Sequence, residues 1–326
     1  TLFRSLGLYV SAYRRRGYDL VTAVQVVSTT GFNTQSYNTT EQINQGFEVS
    51  VHAVPLKLKD FRWSLSGNIS YNENHISKYV NPYGSTLSTI VLDYPQASVF
   101  GFKSTGINPA TGIYNFKLRP DAVISQPEDL RNYKNYIYYL GTANAPWNGG
   151  ISTNITYKSF TLSASGSFSL GSFIDSQITP KISSNDLPGH SNIIPFYDND
   201  LYTAFLNKPR DAANRWTVAA PVTNGYPRLI DSQGTYLALD VDQPISSLAA
   251  TDVTYESGSY FKLTSVTLAY AFPEKWYRHL GIQSLSASFT ANNLFMITGY
   301  SGLNPESPGA VYPQSRSFSF GINVGF

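Results

Sequence analysis

Residues Ser317-Phe318-Ser319-Phe320-Gly321-Ile322-Asn323-Val324-Gly325-Phe326 alternate without a break. The even positions are Phe, Phe, Ile, Val and Phe; the odd positions are Ser, Ser, Gly, Asn and Gly. Side chains of an extended strand point to opposite faces in turn, so this stretch is a strand with one apolar face and one face of small polar residues. Its length fits a tilted strand crossing a bilayer, which takes about 9–11 residues. It also ends on an aromatic residue, Phe326, with no polar tail after it.

The same alternation recurs upstream. Leu6, Leu8, Val10 and Ala12 share one face of a first strand. Phe47, Val49, Val51 and Ala53 share a face of the second, which Pro55 is expected to end. The third carries Phe61, Trp63, Leu65, Gly67, Ile69 and Tyr71 against Ser, Asn and Arg. Ile151, Ile155 and Tyr157 mark the fourth. The fifth sets Phe160, Leu162, Ala164, Gly166, Phe168 and Leu170 against a row of Thr and Ser. In the sixth, about Tyr260 to Phe272, the apolar phase slips near Thr264-Ser265, which predicts a β-bulge. Leu285, Ala287, Phe289 and Ala291 make the seventh strand, and the quoted stretch is the eighth.

The connections alternate between short turns and long polar segments, the latter at about 17–43, 73–146, 171–257 and 297–315. Outer-membrane barrels have this asymmetry, with short periplasmic turns and longer extracellular loops. The polar faces are mostly Ser, Thr, Asn and Gly, which suit a wet or plugged lumen better than bulk water. Trp63, Tyr71, Tyr157, Phe272 and Trp276 lie near predicted strand ends, where aromatic girdles sit. The expected fold is therefore all-β, a transmembrane antiparallel β-barrel of which this chain supplies the last eight or so strands. Thr1 opens inside strand sequence, so a longer chain is expected. A soluble carbohydrate-binding β-protein is the competing reading.

Composition narrows the function. Charged residues are 13%, about half the share in an ordinary soluble domain. Aromatics reach 14%, and there is no Cys. The net charge of +2 gives no footprint for nucleic acid. The triplet Arg14-Arg15-Arg16 reads as a solvated strand end. No apolar run is long enough for a membrane helix. The histidines are scattered without metal spacing, Asp198-Asn199-Asp200 lacks the rest of a calcium loop, and Asp240 and Asp242 have no defined cleft. No enzyme, metal or cofactor is expected. Binding is expected of loop aromatics with polar neighbours: Tyr197, Asp198, Asp200, Tyr202, Arg215 and Trp216 could stack on and hydrogen-bond a sugar or peptide, or contact a partner.

Several stretches resemble SusC/RagA-family TonB-dependent transporters of Bacteroidota outer membranes. They are Asn44-Gln45-Gly46-Phe47-Glu48, Gly106-Ile107-Asn108-Pro109-Ala110-Thr111-Gly112 and Tyr139-Leu140-Gly141-Thr142-Ala143-Asn144-Ala145-Pro146. Arg215-Trp216, Tyr226-Pro227-Arg228-Leu229, Tyr260-Phe261-Lys262-Leu263, Leu268-Ala269-Tyr270, Asn292-Asn293-Leu294-Phe295 and Tyr312-Pro313-Gln314-Ser315-Arg316 complete the set in the same order. The resemblance implies a plugged barrel of about 22 strands, with the plug and the TonB box outside this chain. It implies active import of an oligosaccharide or, second, a peptide. The implied partners are TonB, a SusD-like surface lipoprotein and the lipid of the bacterial outer membrane. A SusC-like barrel serving as a scaffold subunit is the alternative.

The alternating face of Phe318, Phe320, Ile322, Val324 and Phe326 also resembles the C-terminal signal read by the barrel-assembly machinery. Deleting Phe326, or Phe326→Ser, is expected to lower the level of folded, heat-modifiable protein in the outer membrane. Wild-type levels in that variant would refute an assembly role.

Overall fold

The structure is a computed structural model that describes residues 5–26, 29, 31–32, 34–80, 91–112, 114–131, 133–175, 216–224, 250–253, 255–308, 310 and 312–326. In chain order its strands are β1 (Leu6–Gln25), β2 (Thr34–Lys57), β3 (Phe61–Tyr79), β4 (Ser98–Phe102), β5 (Ser104–Ile107), β6 (Tyr114–Phe116) and β7 (Ile137–Thr142). They continue as β8 (Trp147–Tyr157), β9 (Phe160–Leu170), β10 (Phe173–Asp175), β11 (Ala250–Thr251), β12 (Tyr255–Ser257), β13 (Tyr260–Ala271), β14 (Ser284–Thr298) and β15 (Ser317–Gly325). Among the described residues no helix is long and apolar enough to cross a membrane, which says nothing about strands.

The chain divides into two compact units. The first, residues 1–96, 144–172 and 258–326, is built on one eight-stranded sheet in the order β1-β2-β3-β8-β9-β13-β14-β15. Every neighbouring pair is antiparallel, so the sheet is an up-and-down meander. All eight strands expected from alternation are in it, in sequence order. The second unit, residues 97–143 and 173–257, holds three small sheets: β11-β4-β7, β5-β6 and β10-β12.

Register carries the alternation across the sheet. Trp63, Ile155, Leu162, Leu268, Phe289 and Phe320 stand in one transverse row. The adjacent row, displaced by one residue, reads Ser64, Asn154, Ser163, Thr267, Thr290 and Ser319. One side of the sheet is thus apolar and open, with Phe320 70% exposed and Leu162 38%. The other is laced with hydroxyl and amide hydrogen bonds. Asn154 Nδ2 donates to Ser163 Oγ at 2.8 Å, and the hydroxyls of Thr267 and Thr290 meet at 2.9 Å.

Aromatic rings bracket the apolar side. Phe47, Tyr71 and Trp147 cluster at one end, their centroids 4.7–5.8 Å apart. At the other end Phe160, Tyr270, Phe272 and Trp276 form a chain of ring contacts. Of the girdle residues expected from sequence, Tyr71, Phe272 and Trp276 sit in these clusters, and exposed Tyr157 pairs with Phe160. Trp63 faces the apolar side too, and its indole N–H reaches Thr153 Oγ1 at 2.9 Å. β8 is 11 residues long and runs from one cluster to the other. At about 3.3 Å per residue and a tilt near 45° that is roughly 25 Å of height, the thickness of a barrel's apolar band.

Four details differ from the sequence expectation. Residues 17–25 and 34–43 are strand instead of loop: β1 and β2 stay paired far beyond the aromatic cluster, to Gln25 and Thr34. Pro55 does not end β2. The register shifts between Ala53 and Leu56, so the missing proline N–H falls in a bulge. Arg14, Arg15 and Arg16 therefore lie inside a strand instead of at its end. The long polar segments are also shorter than expected, because β3 runs on to Tyr79 and β14 to Thr298. The slip in β13 is where the phase predicted it, with Thr264 skipped in both ladders.

The two sides should respond differently to charge. Leu162→Arg is expected to destabilise lipid-embedded full-length protein by less than the roughly 2–4 kcal/mol penalty for Arg at the bilayer midplane, because Leu162 stands two residues from the Phe160 cluster. Ser163→Arg should cost much less. The measurement is denaturant titration, backed by lipid-borne quenchers that reach a fluorophore on a cysteine at 162 but not at 163. Equal quenching at both positions would contradict the assignment of sides.

Candidate functional site

Two places gather polar or aromatic groups in a defined geometry. One is the polar side of the sheet. The other is the Gly106–Gly112 turn of the second unit.

On the polar side, rows of Ser, Thr and Asn leave little bulk, and a hollow of about 750 Å³ opens there. Ser50, His52, Ser66, Asn68, Ser152 and Ser165 line it. The His52 ring Nδ1 lies 2.8 Å from Ser66 Oγ, and Ser165 Oγ lies 2.8 Å from Ser265 Oγ. Such a wall offers hydrogen bonds to a polar ligand.

This wall also carries a charge, in the row of Ser50, Asn68, Gly150 and Ser167. Lys262 is 8% exposed, and its ammonium donates to Glu306 Oε2 at 2.7 Å. Glu306 comes from the β14–β15 connection, whose Tyr300 is 6% exposed. Two bonds shape that connection: Tyr300 N–H donates to Thr298 Oγ1 and Glu306 N–H to Asn304 Oδ1. The connection is thereby held against the wall. Sequence reading missed this pair. Its signal was a lone Lys on a strand face otherwise made of Ser and Thr, a charge that needs a partner when covered.

In the second unit the Gly106–Gly112 motif has a physical reason at Asn108 and at both glycines. The Asn108 side-chain oxygen accepts from Ala110 N–H at 2.9 Å, and its carbonyl from Gly112 N–H at 2.7 Å. Gly112 has φ +73°, the left-handed region that closes such a turn. Gly106 has φ +102°, and a Cβ there would lie 2.9 Å from Thr223 O. That close approach lets Ile107 N–H donate to Thr223 O at 2.8 Å.

Trp216 belongs to this seat. It is 9% exposed, and its indole N–H donates to Pro109 O at 2.9 Å. The candidate contact Trp216 is thus a buried anchor of residues 216–224, not a surface offered to a ligand. Tyr197, Asp198, Asp200, Tyr202 and Arg215 lie outside the described residues, as do Asp240 and Asp242. Among the described residues no three of His, Asp and Glu converge on one point.

Charges in the second unit are tuned locally. Asp129 is held below the usual carboxylate range because the Ser125 and Gln126 N–H groups donate to it. Burial pushes the Asp252 carboxyl up, although it accepts from Ser104 N–H at 2.8 Å and lies near Lys103. Asp252 thereby joins β11 to the start of β5, a structural task.

The C-terminal strand residues Phe318, Phe320, Ile322 and Val324, with Phe326, all stand exposed on the apolar side. β15 pairs with β14 along its whole length.

No family profile matches the chain. Curated relatives do. "TonB-dependent receptor P39" of Formosa agariphila is 26% identical over 99% of the chain and 34% of its own length. "TonB-dependent receptor SusC" of Bacteroides thetaiotaomicron is 24% identical over 97% of the chain and 30% of its own length. Among solved structures, the RagAB peptide transporter aligns with a TM-score of 0.71 at 21% identity, over 99% of this chain and 34% of that one. The RagAB peptide importer in its 'open-open' state gives 0.73 at 22%, over 99% and 33%. The chain spans about a third of the length of the relatives it matches.

Trp216→Ala removes both the indole hydrogen bond and most of the apolar burial at the seat. Buried Trp→Ala changes cost about 3–5 kcal/mol locally. The expected outcome is faster proteolysis within residues 216–224 with the eight-stranded sheet still heat-modifiable. Unchanged cleavage would show that Trp216 does not anchor the segment.

Proposed function

Because this chain is part of an outer-membrane β-barrel homologous to SusC- and RagA-type TonB-dependent receptors, we propose that the whole protein imports an oligomeric nutrient across the bacterial outer membrane. One observation carries the reading. The eight-stranded meander, apolar on one side and lined with Ser, Thr and Asn on the other, aligns from end to end with relatives named as receptors. Nothing in those names points to an enzyme.

In this reading the polar side is lumen wall and the apolar side faces lipid. The short turns at Lys57–Phe61 and Tyr157–Phe160 lie in the periplasm, and the long segments outside the cell. Energy comes through TonB, and a SusD-like lipoprotein closes over the outer opening. Tyr197, Asp198, Asp200, Tyr202 and Arg215 remain the proposed contacts to cargo or lipoprotein. Trp216 is withdrawn from that set, because the seat on Pro109 engages its indole.

An oligosaccharide is the first substrate class. The amide and hydroxyl groups along the wall support it, since their spare donors and acceptors match sugar hydroxyls. A peptide is the second, supported by the structural likeness to the RagAB peptide transporter. Deleting the full-length protein is expected to abolish growth on one class of oligosaccharide while growth on its monosaccharide is kept. Loss of growth on peptides alone would select the second reading. Unchanged growth on every oligomer tested would instead support a scaffold role.

A further inference from the structure

On the open side of β1 the sequence changes character at one point. Leu6, Leu8, Val10 and Ala12 are apolar and exposed; the next residues on that side are Arg14, Arg16 and Tyr18, also exposed. The change occurs in the same rows on the neighbouring strands. On β2 it lies between Phe47 and Gln45, and on β3 between Tyr71 and Glu73. These are the rows of the Phe47–Tyr71–Trp147 cluster. The upper edge of the apolar belt here is therefore a basic rim, and it continues as paired strand.

The rim is held open. Arg16 Nη2 donates to Glu41 Oε2 at 2.6 Å, and Lys78 Nζ approaches Glu41 Oε1 at 3.3 Å. The shared carboxylate is covered, 12% exposed, while the Arg16 and Lys78 side chains keep 49% and 55%. Arg16 also lies 4.7 Å over the Tyr18 ring, which fixes its plane. Arg14 and Arg16 stand two residues apart on one side of the strand, about 7 Å, a spacing that suits neighbouring phosphate groups. The other acid in these rows, Glu73, accepts from the Tyr71 hydroxyl at 3.2 Å. Three cations against two carboxylates leave a positive excess, and Arg16 and Lys78 are far more exposed than the carboxylate they share.

We propose that Arg14, Arg16 and Lys78 bind the phosphate headgroup of a phosphorylated glycolipid in the outer leaflet. The apolar residues directly below fix the occupant: acyl chains lie along Leu6, Leu8 and Val10, so the group at the height of Arg14 and Arg16 is a headgroup. A guanidinium forms bidentate bonds to phosphate oxygens, and a basic residue at the membrane surface attracts an anionic lipid. The proposal rests on the reading that the long strand ends lie outside the cell.

The test uses the full-length barrel in detergent micelles doped with bis-phosphorylated lipid A, with its dephosphorylated form as control, and counts bound lipid by native mass spectrometry. Arg14→Gln with Arg16→Gln is expected to weaken binding about fivefold per arginine, with no change toward the control lipid. Lys replacements at both positions should keep most of the affinity. Glu41→Gln guards against a folding failure in the double variant: it frees two cations from their internal partner and should tighten binding. Equal binding by wild type and the arginine variants, or no gain in Glu41→Gln, overturns the site. Labelling of Thr34→Cys in intact cells reads the orientation separately. Arginine-dependent binding of phosphatidylglycerol alone, with Thr34→Cys unlabelled, overturns the outer-leaflet assignment together with the orientation it rests on.

Discussion

A peptide group in hydrocarbon has no water to bond, so each N–H and C=O in the apolar band must find a partner in the protein. The meander meets that demand with strand against strand, and each interior strand is paired on both edges. Once the ladder is obligatory, side-chain direction is fixed by residue parity. The two chemistries of this chain then separate onto two sides of a wall one strand thick. The aromatic clusters, the Ser and Thr rows and the hollow at His52 all follow from that separation.

Within the band the sequence was legible because it has only one job on each side. Phe160 to Leu170 and Ser317 to Phe326 both show period two with no charged residue, a pattern that a helix does not produce. Beyond the band the same backbone structure became invisible. Residues 17–25 and 34–43 are paired strand, yet neither side meets lipid, so the apolar signal stops while the hydrogen bonds continue. Contacts such as Thr22 Oγ1 to Thr40 Oγ1, 2.6 Å apart, leave no pattern in the letters. Pro55 misled for a related reason: the rule against proline in a ladder has bulges as its exception, and the phase change that marks this bulge, from Ala53 to Leu56, falls at the very end of β2 where few residues follow to display it.

The candidate contacts were less legible than the fold. Exposed and buried aromatics in polar segments look alike in sequence. Trp216 proved to be the buried kind, and what distinguishes it is tertiary: the carbonyl of Pro109 and the glycine at 106 that lets residues 216–224 approach. The turn motif itself was visible, since Asn108 and Gly112 have local reasons to be there. What it receives was not, because its guest lies far along the chain.

The bulge at Thr264 has a further meaning. It leaves Phe261 and Leu263 on the same side as Val266 and Leu268 although their numbers differ in parity, and it keeps Lys262 with the Ser167 row. Gly166 stands opposite, where a Cβ would lie 2.9 Å from the Lys262 carbonyl. Ironing the bulge out would turn one half of β13 over. Turning the upper half would swing Lys262 away from Glu306 and into hydrocarbon, at a penalty of about 2–4 kcal/mol near the midplane. The ammonium therefore acts as a pawl beside the apolar pattern: a slip that takes Phe261 and Leu263 off the lipid side also drives a charge onto it.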